Sequence, residues 1–89
     1  MKGIITVLGI DRVGIIAKLC VFLSEREVNI LDISQTIVQG YFNMLMIVDL
    51  ERANADYGEL VSGLEALGAE IGVSVKLQRE EIFNSMHRI

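Results

Sequence analysis

The sequence predicts a small α+β domain in which a four-stranded antiparallel sheet carries two helices on one face. Three observations support this prediction. Four β-rich runs alternate with two segments of helical periodicity, a glycine-containing turn joins the second and third runs, and 89 residues are enough for one domain only.

The first strand and the first helix are predicted from the N-terminal third of the chain. Residues 2–9 are rich in β-branched side chains and bounded by glycine, which is typical of a strand buried on both faces. A helical period follows, ending at about Glu27, and Asp11 is well placed to cap this helix. Its predicted buried face comprises Ile16, Leu19, Cys20 and Leu23, flanked by Ile15 and Phe22.

A β-hairpin is predicted for residues 29–50. Gln39 and Gly40 lie between two β-rich runs, and the glycine can adopt the positive φ that a tight turn requires. The second arm, residues 41–50, is apolar on both faces, which indicates a central strand. In the first arm, Gln35 lies on the same predicted strand face as Ile33 and Ile37. Either a bulge turns it outward or it forms hydrogen bonds across an interface.

A second helix, a final strand and a tail complete the chain. Asn54 and Asp56 are both candidate N-caps for the helix, and Gly68 is its predicted end. Alternating apolar and polar residues over 71–78 predict the last strand. The core side of the helix is predicted to carry Tyr57, Leu60, Val61, Leu64 and Leu67, and the tail aligns Ile82, Met86 and Ile89 on one helical stripe.

The predicted order βαββαβ is that of a ferredoxin-like sandwich with an added short C-terminal helix. Right-handed crossovers place the first and third strands in the middle of the sheet and both helices on one face. The other face is left bare, so the tail helix, a second subunit or both are expected to cover it. We expect residues 1–79 to form the domain and residues 80–89 a helical tail.

Composition predicts an oligomer and excludes several classes of function. Hydrophobic residues make up 52% of the chain, including twelve Ile, ten Leu and nine Val, more than so small a domain can bury alone. We therefore expect a homo-oligomer. The net charge of -4 argues against nucleic-acid binding. No signal peptide or membrane-spanning run is evident, so a cytoplasmic protein is the default expectation.

Catalytic and metal-binding signals are lacking in the sequence. One cysteine and one histidine cannot form an intramolecular disulfide or a typical zinc site. No phosphate loop, GxGxxG run or nucleophile elbow occurs. We expect no cofactor, no metal and no enzymatic activity.

Two positions nevertheless have the chemistry to bind a small molecule. The loop Asp11-Arg12-Val13-Gly14 precedes a helix, where free backbone N–H groups and the helix dipole favour an anion. The same residues are also explained by a tight turn and a helix cap. Asn29 can donate and accept hydrogen bonds to a ligand, or it can end the first helix in a left-handed conformation.

Four segments of the chain resemble the ACT domain, a small amino-acid-sensing regulatory module. They are Asp11-Arg12-Val13-Gly14-Ile15-Ile16-Ala17, Val28-Asn29-Ile30, Asp32-Ile33-Ser34-Gln35-Thr36 and Gly40-Tyr41-Phe42-Asn43-Met44. The chain is also similar to the stand-alone single-ACT proteins of the UPF0237 group. The similarity lies in its second-strand run, its short length and its tail Ile-Phe-Asn-Ser-Met.

The resemblance implies a regulatory module that binds a small molecule, usually an amino acid, acts as a dimer and controls a separate protein. ACT domains pair through their second strands and bind effectors between the first loop of one subunit and the second-strand start of its neighbour. Amides of Val13 and Gly14 would then meet a carboxylate, and Asp11 and Asn29 an ammonium. The implied ligand-binding set is Asp11, Arg12, Val13, Gly14, Ile15, Asn29 and Ile30. The alternative is a ligand-free module that mediates protein–protein interaction.

Overall fold

The computed structural model describes residues 1–10 and 12–81 and has the predicted order of elements. They are β1 (Lys2–Ile10), α1 (Ile15–Glu25), β2 (Asn29–Val38), β3 (Tyr41–Asp49), α2 (Tyr57–Ile71) and β4 (Val73–Arg79). The ferredoxin-like prediction is confirmed. Of the predicted C-terminal helix, residues 82–89 lie outside the described residues, as does Asp11.

The sheet has the strand order β2-β3-β1-β4, and each neighbouring pair is antiparallel. Strands β1 and β3 are therefore central, as predicted, while β2 and β4 form the edges. The β2–β3 turn has positive φ at both Gln39 (51°) and Gly40 (82°), the conformation that matches the twist of a hairpin. The hairpin prediction is thus confirmed.

The core lies between the two helices and one face of the sheet. Met44 and Met46 of β3 are fully buried, opposite Val7 and Ile5 of β1. Packing them against the helices removes a large apolar area from water, which is the main favourable term in folding. The helical side chains buried in this cluster are Ile15, Leu19, Phe22, Leu23, Leu60, Leu64 and Ile71.

The buried face of α1 differs from prediction. Its N-cap position is Gly14, in the left-handed region at φ 90°, and no side chain of the described residues caps the helix. The predicted cap, Asp11, lies outside the described residues. The buried arc is centred between Leu19 and Phe22, which leaves Cys20 half-buried at the margin rather than in the core. Past the helix, the left-handed residue is Glu27 (φ 56°) and not Asn29, which is the first residue of β2.

The second helix begins as predicted but ends later. Asp56 is its N-cap, and its carboxylate accepts a hydrogen bond of 2.8 Å from the Glu59 N–H. The predicted end at Gly68 is wrong, because the helix continues to Ile71 and the left-handed C-cap is Gly72. Gly68 is instead a site of close approach, since a Cβ there would lie 2.6 Å from the Val73 carbonyl oxygen.

The sheet face away from the helices, here called the open face, is partly exposed. Ile5 and Val7 of β1 are buried in the core, but Leu8 and Ile10 are more than half exposed. Burial on both faces was therefore predicted correctly for only part of β1. No helix within residues 1–10 and 12–81 is both long and apolar enough to cross a membrane.

Candidate functional site

The loop before α1 presents unsatisfied backbone donors to solvent. The first N–H groups of a helix lack intrahelical acceptors, and within residues 1–10 and 12–81 no side chain caps α1. Val13 is fully exposed, and nothing lies within 4 Å of the point where a Cβ on Gly14 would be. Backbone amides near Val13, Gly14 and Ile15 are therefore open to a small anionic group such as a carboxylate.

Arg12 lies in the same loop, but its side chain packs against α2. Its guanidinium carbon is 3.3 Å from the point where a Cβ on Gly72 would lie. Because Gly72 caps the C-terminus of α2, the cation lies near the negative end of that helix dipole. Arg12 thus links the loop to the α2–β4 connection.

Asn29 and Ile30, the other predicted ligand residues, lie in an open groove of about 1070 Å³. The groove runs between the C-terminal half of α1, the start of β2 and the chain that follows β3. Asn29 is exposed and lies opposite Asp49 in the hairpin. The other residues that line it are Cys20, Ser24, Glu27, Val28, Glu51 and Arg52.

Within one copy of the protein, the two halves of the predicted site lie at opposite ends of the sheet. Ile10, just before the loop, pairs with Tyr41 at the start of β3, whereas Asn29 pairs with Asp49 at its end. Eight residues of strand separate those two rows, which corresponds to about 27 Å. A single copy therefore cannot bring Gly14 and Asn29 to the same small ligand.

The edge strand β2 lies between these two ends and is unprotected. Nine of its ten residues are exposed and Ile30 is half-buried, and its only strand partner in the described part of the chain is β3. Lysine and proline, which commonly block sheet edges, are absent from it. A row of unpaired backbone donors and acceptors is consequently available for another strand.

The position of Gln35 distinguishes the two alternatives drawn from the sequence. The irregularity in β2 falls between Ile30 and Asp32, before Gln35. Gln35 lies opposite the buried Met44, so it stays on the helix-bearing side of the sheet, flanked there by Ile33 and Ile37. A bulge does not turn it outward, and all three side chains are exposed.

The polar side chains of residues 1–10 and 12–81 lie at or near the surface. Buried polar or charged side chains are absent from residues 1–10 and 12–81, and no group of three His, Cys, Asp or Glu side chains there could hold a metal. Asp49 caps its own turn by accepting a 3.0 Å hydrogen bond from the Glu51 N–H. The predicted site residues place backbone amides at one end of β3 and the Asn29 side-chain amide at the other.

Sequence reasoning missed several groove residues, namely Cys20, Asp49 and Arg52. Cys20 was assigned to the core from helical periodicity alone. Asp49 and Arg52 belong to no recognisable sequence motif. The hairpin register nevertheless places Asp49 opposite Asn29. Counting the register back from the Gln39-Gly40 turn places Asp49 opposite Ile30, one residue from Asn29, and the irregularity between Ile30 and Asp32 accounts for the difference.

Comparison with known proteins agrees with the fold. The family model described as the ACT domain matches residues 3–78. A UPF0237 protein of Bifidobacterium longum is 61% identical over 88 residues, covering 99% of this chain and 98% of the relative. An ACT domain protein from Streptococcus pneumoniae superimposes with a TM-score of 0.82 at 38% identity, with 98% of each chain covered.

The fold is that of a small α+β domain with an exposed loop before its first helix. The chain belongs to the ACT domain family, and its close relatives are UPF0237 proteins. ACT domains are in general small-molecule-binding regulatory modules that commonly form dimers, and the family is regulatory rather than catalytic. A further structural neighbour is the regulatory subunit of aspartate kinase from Thermus thermophilus, with TM-score 0.67, 29% identity and coverage of 89% of this chain and 51% of that one.

Proposed function

We propose that this protein is a homodimeric regulatory module that binds a small amino acid or related metabolite and acts on a separate protein. The observation that supports this most is the position of the two half-sites. The loop at Gly14 and the groove at Asn29 lie at opposite ends of β2, and β2 itself is an open edge. Two copies joined along that edge complete the site.

Antiparallel pairing of β2 with a second β2 brings the half-sites together. A two-fold axis through the strand centre sets the beginning of one β2 against the end of the other. The end of β2 at Val38 lies beside Tyr41 and Ile10, next to the loop. Asn29 of one copy then faces the Gly14 loop of the other.

The two half-sites have complementary chemistry for an amino acid. N–H groups at Val13, Gly14 and the first turn of α1 donate hydrogen bonds to the carboxylate. The positive end of the α1 dipole further stabilises its negative charge. The side-chain oxygen of Asn29 from the second copy accepts from the ammonium. The half-buried Ile30 contributes apolar surface beside the ligand, whereas Ile15, whose side chain is in the core, contributes only its backbone N–H. Arg12 anchors the loop. Asp11, outside the described residues, is the second candidate for the ammonium.

A panel of amino acids titrated into the protein by calorimetry tests the proposal. At least one is expected to bind. Gly14→Val introduces a side chain where the ligand backbone lies, and Asn29→Ala removes the ammonium acceptor. Each is expected to weaken binding about tenfold or more, since hydrogen bonds to charged groups contribute roughly 1.5–3 kcal/mol.

Matched controls separate binding from folding. Val13→Ala keeps the backbone amide and is expected to retain affinity. Asn43→Ala removes the same amide from an exposed position on the open face of β3 and is also expected to retain it. No heat of binding for any amino acid, or equal losses for Asn29→Ala and Asn43→Ala, would contradict the proposed site.

The second candidate function is a ligand-free module for protein–protein interaction. The exposed β2 edge and the four large apolar side chains at one end of the open face, Leu8, Ile10, Val38 and Tyr41, favour it. This function predicts a dimer or a protein complex that is unaffected by every metabolite. Sedimentation of the protein with and without the amino-acid panel distinguishes the two functions.

A further inference from the structure

Asn54 is a candidate N-cap in the sequence that does not cap α2. Asp56 takes that role, and its carboxylate accepts the hydrogen bond from the Glu59 N–H. Asn54 instead contacts the end of the other helix. Its backbone N–H donates a 3.0 Å hydrogen bond to the carbonyl oxygen of Arg26, and its side-chain Nδ2 donates one of 3.3 Å to the carbonyl oxygen of Glu25.

Both acceptors of Asn54 are at the C-terminal end of α1. The helix ends at Glu25, and its C-cap is Arg26. The last carbonyl groups of a helix have no donor within the helix and need one from elsewhere. Asn54 supplies donors to two of them from a segment that is distant in the sequence.

These hydrogen bonds connect the two walls of the groove at Asn29. One wall is formed by the end of α1 and the start of β2, and the other by the chain that follows β3 as far as Arg52, two residues before Asn54. The walls also meet in the sheet, where Asn29 pairs with Asp49. They are therefore joined at two places, one in the sheet and one at Asn54.

The turn that leads into Asn29 contains a residue in a disfavoured conformation. Glu27 has φ 56°, which is uncommon for a residue with a side chain and persists only where surrounding contacts hold it. The carbonyl of Arg26 belongs to the peptide group that joins Arg26 to Glu27. By bonding to that carbonyl, Asn54 fixes the orientation of the peptide from which the chain continues to Asn29.

We propose that Asn54 is a positioning residue for the Asn29 half-site. Its two hydrogen bonds hold the walls of the groove together and fix the turn that orients Asn29. Without them the walls are joined in the sheet alone, and a ligand has to order the turn at a cost in affinity. The effect on a ligand rests on the proposed function, whereas the connection between the walls does not.

The single cysteine of the chain reports on the groove without any ligand. Cys20 is half-buried and lines the groove, so its rate of reaction with N-ethylmaleimide, an uncharged thiol reagent, follows the separation of the walls. Asn54→Ala removes the side-chain donor and is expected to raise this rate at least about threefold. Asn54→Pro removes both donors and is expected to raise it further.

Two control variants separate this local effect from a loss of stability. Asn43→Ala removes the same amide from an exposed position on the open face of β3. Gly68→Ala disturbs the packing of α2 against β4, away from the groove. Neither is expected to raise the Cys20 rate in the absence of denaturant, and denaturant unfolding of each variant measures its free energy of unfolding.

The amino-acid panel then measures the effect on the ligand. Any amino acid that binds the wild type in calorimetry is expected to bind Asn54→Ala at least about threefold more weakly. Gly68→Ala is expected to bind it with unchanged affinity. A purely structural role for Asn54 predicts instead that affinity follows the free energy of unfolding, in which case Gly68→Ala also weakens binding.

The outcomes are distinct. Unchanged Cys20 rates in both Asn54 variants overturn the proposal, as does equal affinity of Asn54→Ala and the wild type for a bound amino acid. Faster labelling and weaker binding in the Asn54 variants alone support it. A wild type that binds no amino acid contradicts the proposed function, and the Cys20 rates still decide whether Asn54 holds the walls together.

Discussion

The guanidinium group of Arg12 lies against Gly72, with its central carbon 3.3 Å from the point where a Cβ on that glycine would lie. Gly72 is also held at φ 81°, a conformation that side chains disfavour. The contact joins the loop before α1 to the turn between α2 and β4. A change at Gly72 therefore affects both backbone strain and the loop.

Gly72→Ala is expected to destabilise the protein by about 1–2 kcal/mol through left-handed strain, with an added cost for displacing Arg12. Denaturant unfolding followed by circular dichroism measures it. Gly40→Ala is the matched control, because Gly40 has φ 82° and nothing lies within 4 Å of its missing Cβ. Its cost is expected to be the strain alone.

A double-mutant cycle isolates the Arg12 contribution. In an Arg12→Ala background, Gly72→Ala is expected to cost no more than Gly40→Ala. If Gly72→Ala lowers the free energy of unfolding equally with and without Arg12, the contact between the two residues does not contribute to that cost.

Gly68→Ala is expected to destabilise the protein by about 1–3 kcal/mol despite the better helix propensity of alanine. A Cβ at Gly68 would lie 2.6 Å from the Val73 carbonyl oxygen, and backbone cannot move aside cheaply. Gly58→Ala makes the same change in the first turn of α2, where the nearest atom is 3.5 Å away, and is expected to stabilise by up to about 1 kcal/mol. A stabilising Gly68→Ala would contradict the close approach of α2 and β4.

Gly68 shows why part of the fold could not be predicted. Hydrophobic periodicity and the Gln39-Gly40 turn are local signals, and they predicted the element order, the hairpin and the central strands. A glycine near the end of a helical pattern is equally consistent with a C-cap and with a close contact to a distant strand. Only the position of Val73 distinguishes the two.

For the candidate site, individual residues could be singled out from the sequence, but their spatial relation could not. Gly14 and Asn29 were identified from loop chemistry and from the family resemblance, and the first is a left-handed helix N-cap. The 11–14 loop and the start of β2 are adjacent to different ends of β3, a relation that depends on strand order and not on local pattern. The exposure of β2 also follows from its place at the edge, which no single run of residues determines.

Ile37→Lys is expected to convert the proposed dimer into a monomer at micromolar concentration. Ile37 is 57% exposed on β2, so a lysine there is tolerated by the free chain but would be buried in the β2–β2 pairing. Val21→Lys is the control, because Val21 is 56% exposed on α1 and lines the groove between α1 and α2, not the β2 edge. Sedimentation velocity measures both. A dimer that survives Ile37→Lys, or a wild type that is monomeric, would contradict pairing through β2.

Opposite charges at Gln35 test the symmetry of that pairing. Gln35 is at the centre of the regular part of β2, Asp32–Val38, so a two-fold axis places it opposite its own copy. Gln35→Lys and Gln35→Glu are each expected to weaken the dimer, since like charges directly opposite in a sheet are destabilising. Mixing the two variants is expected to restore association as a heterodimer, because the facing charges become opposite. Sedimentation of each variant and of the equimolar mixture measures this, with the wild type mixed with Gln35→Lys as the control. If the mixture associates no better than either variant alone, Gln35 does not face itself and the axis passes through another part of β2.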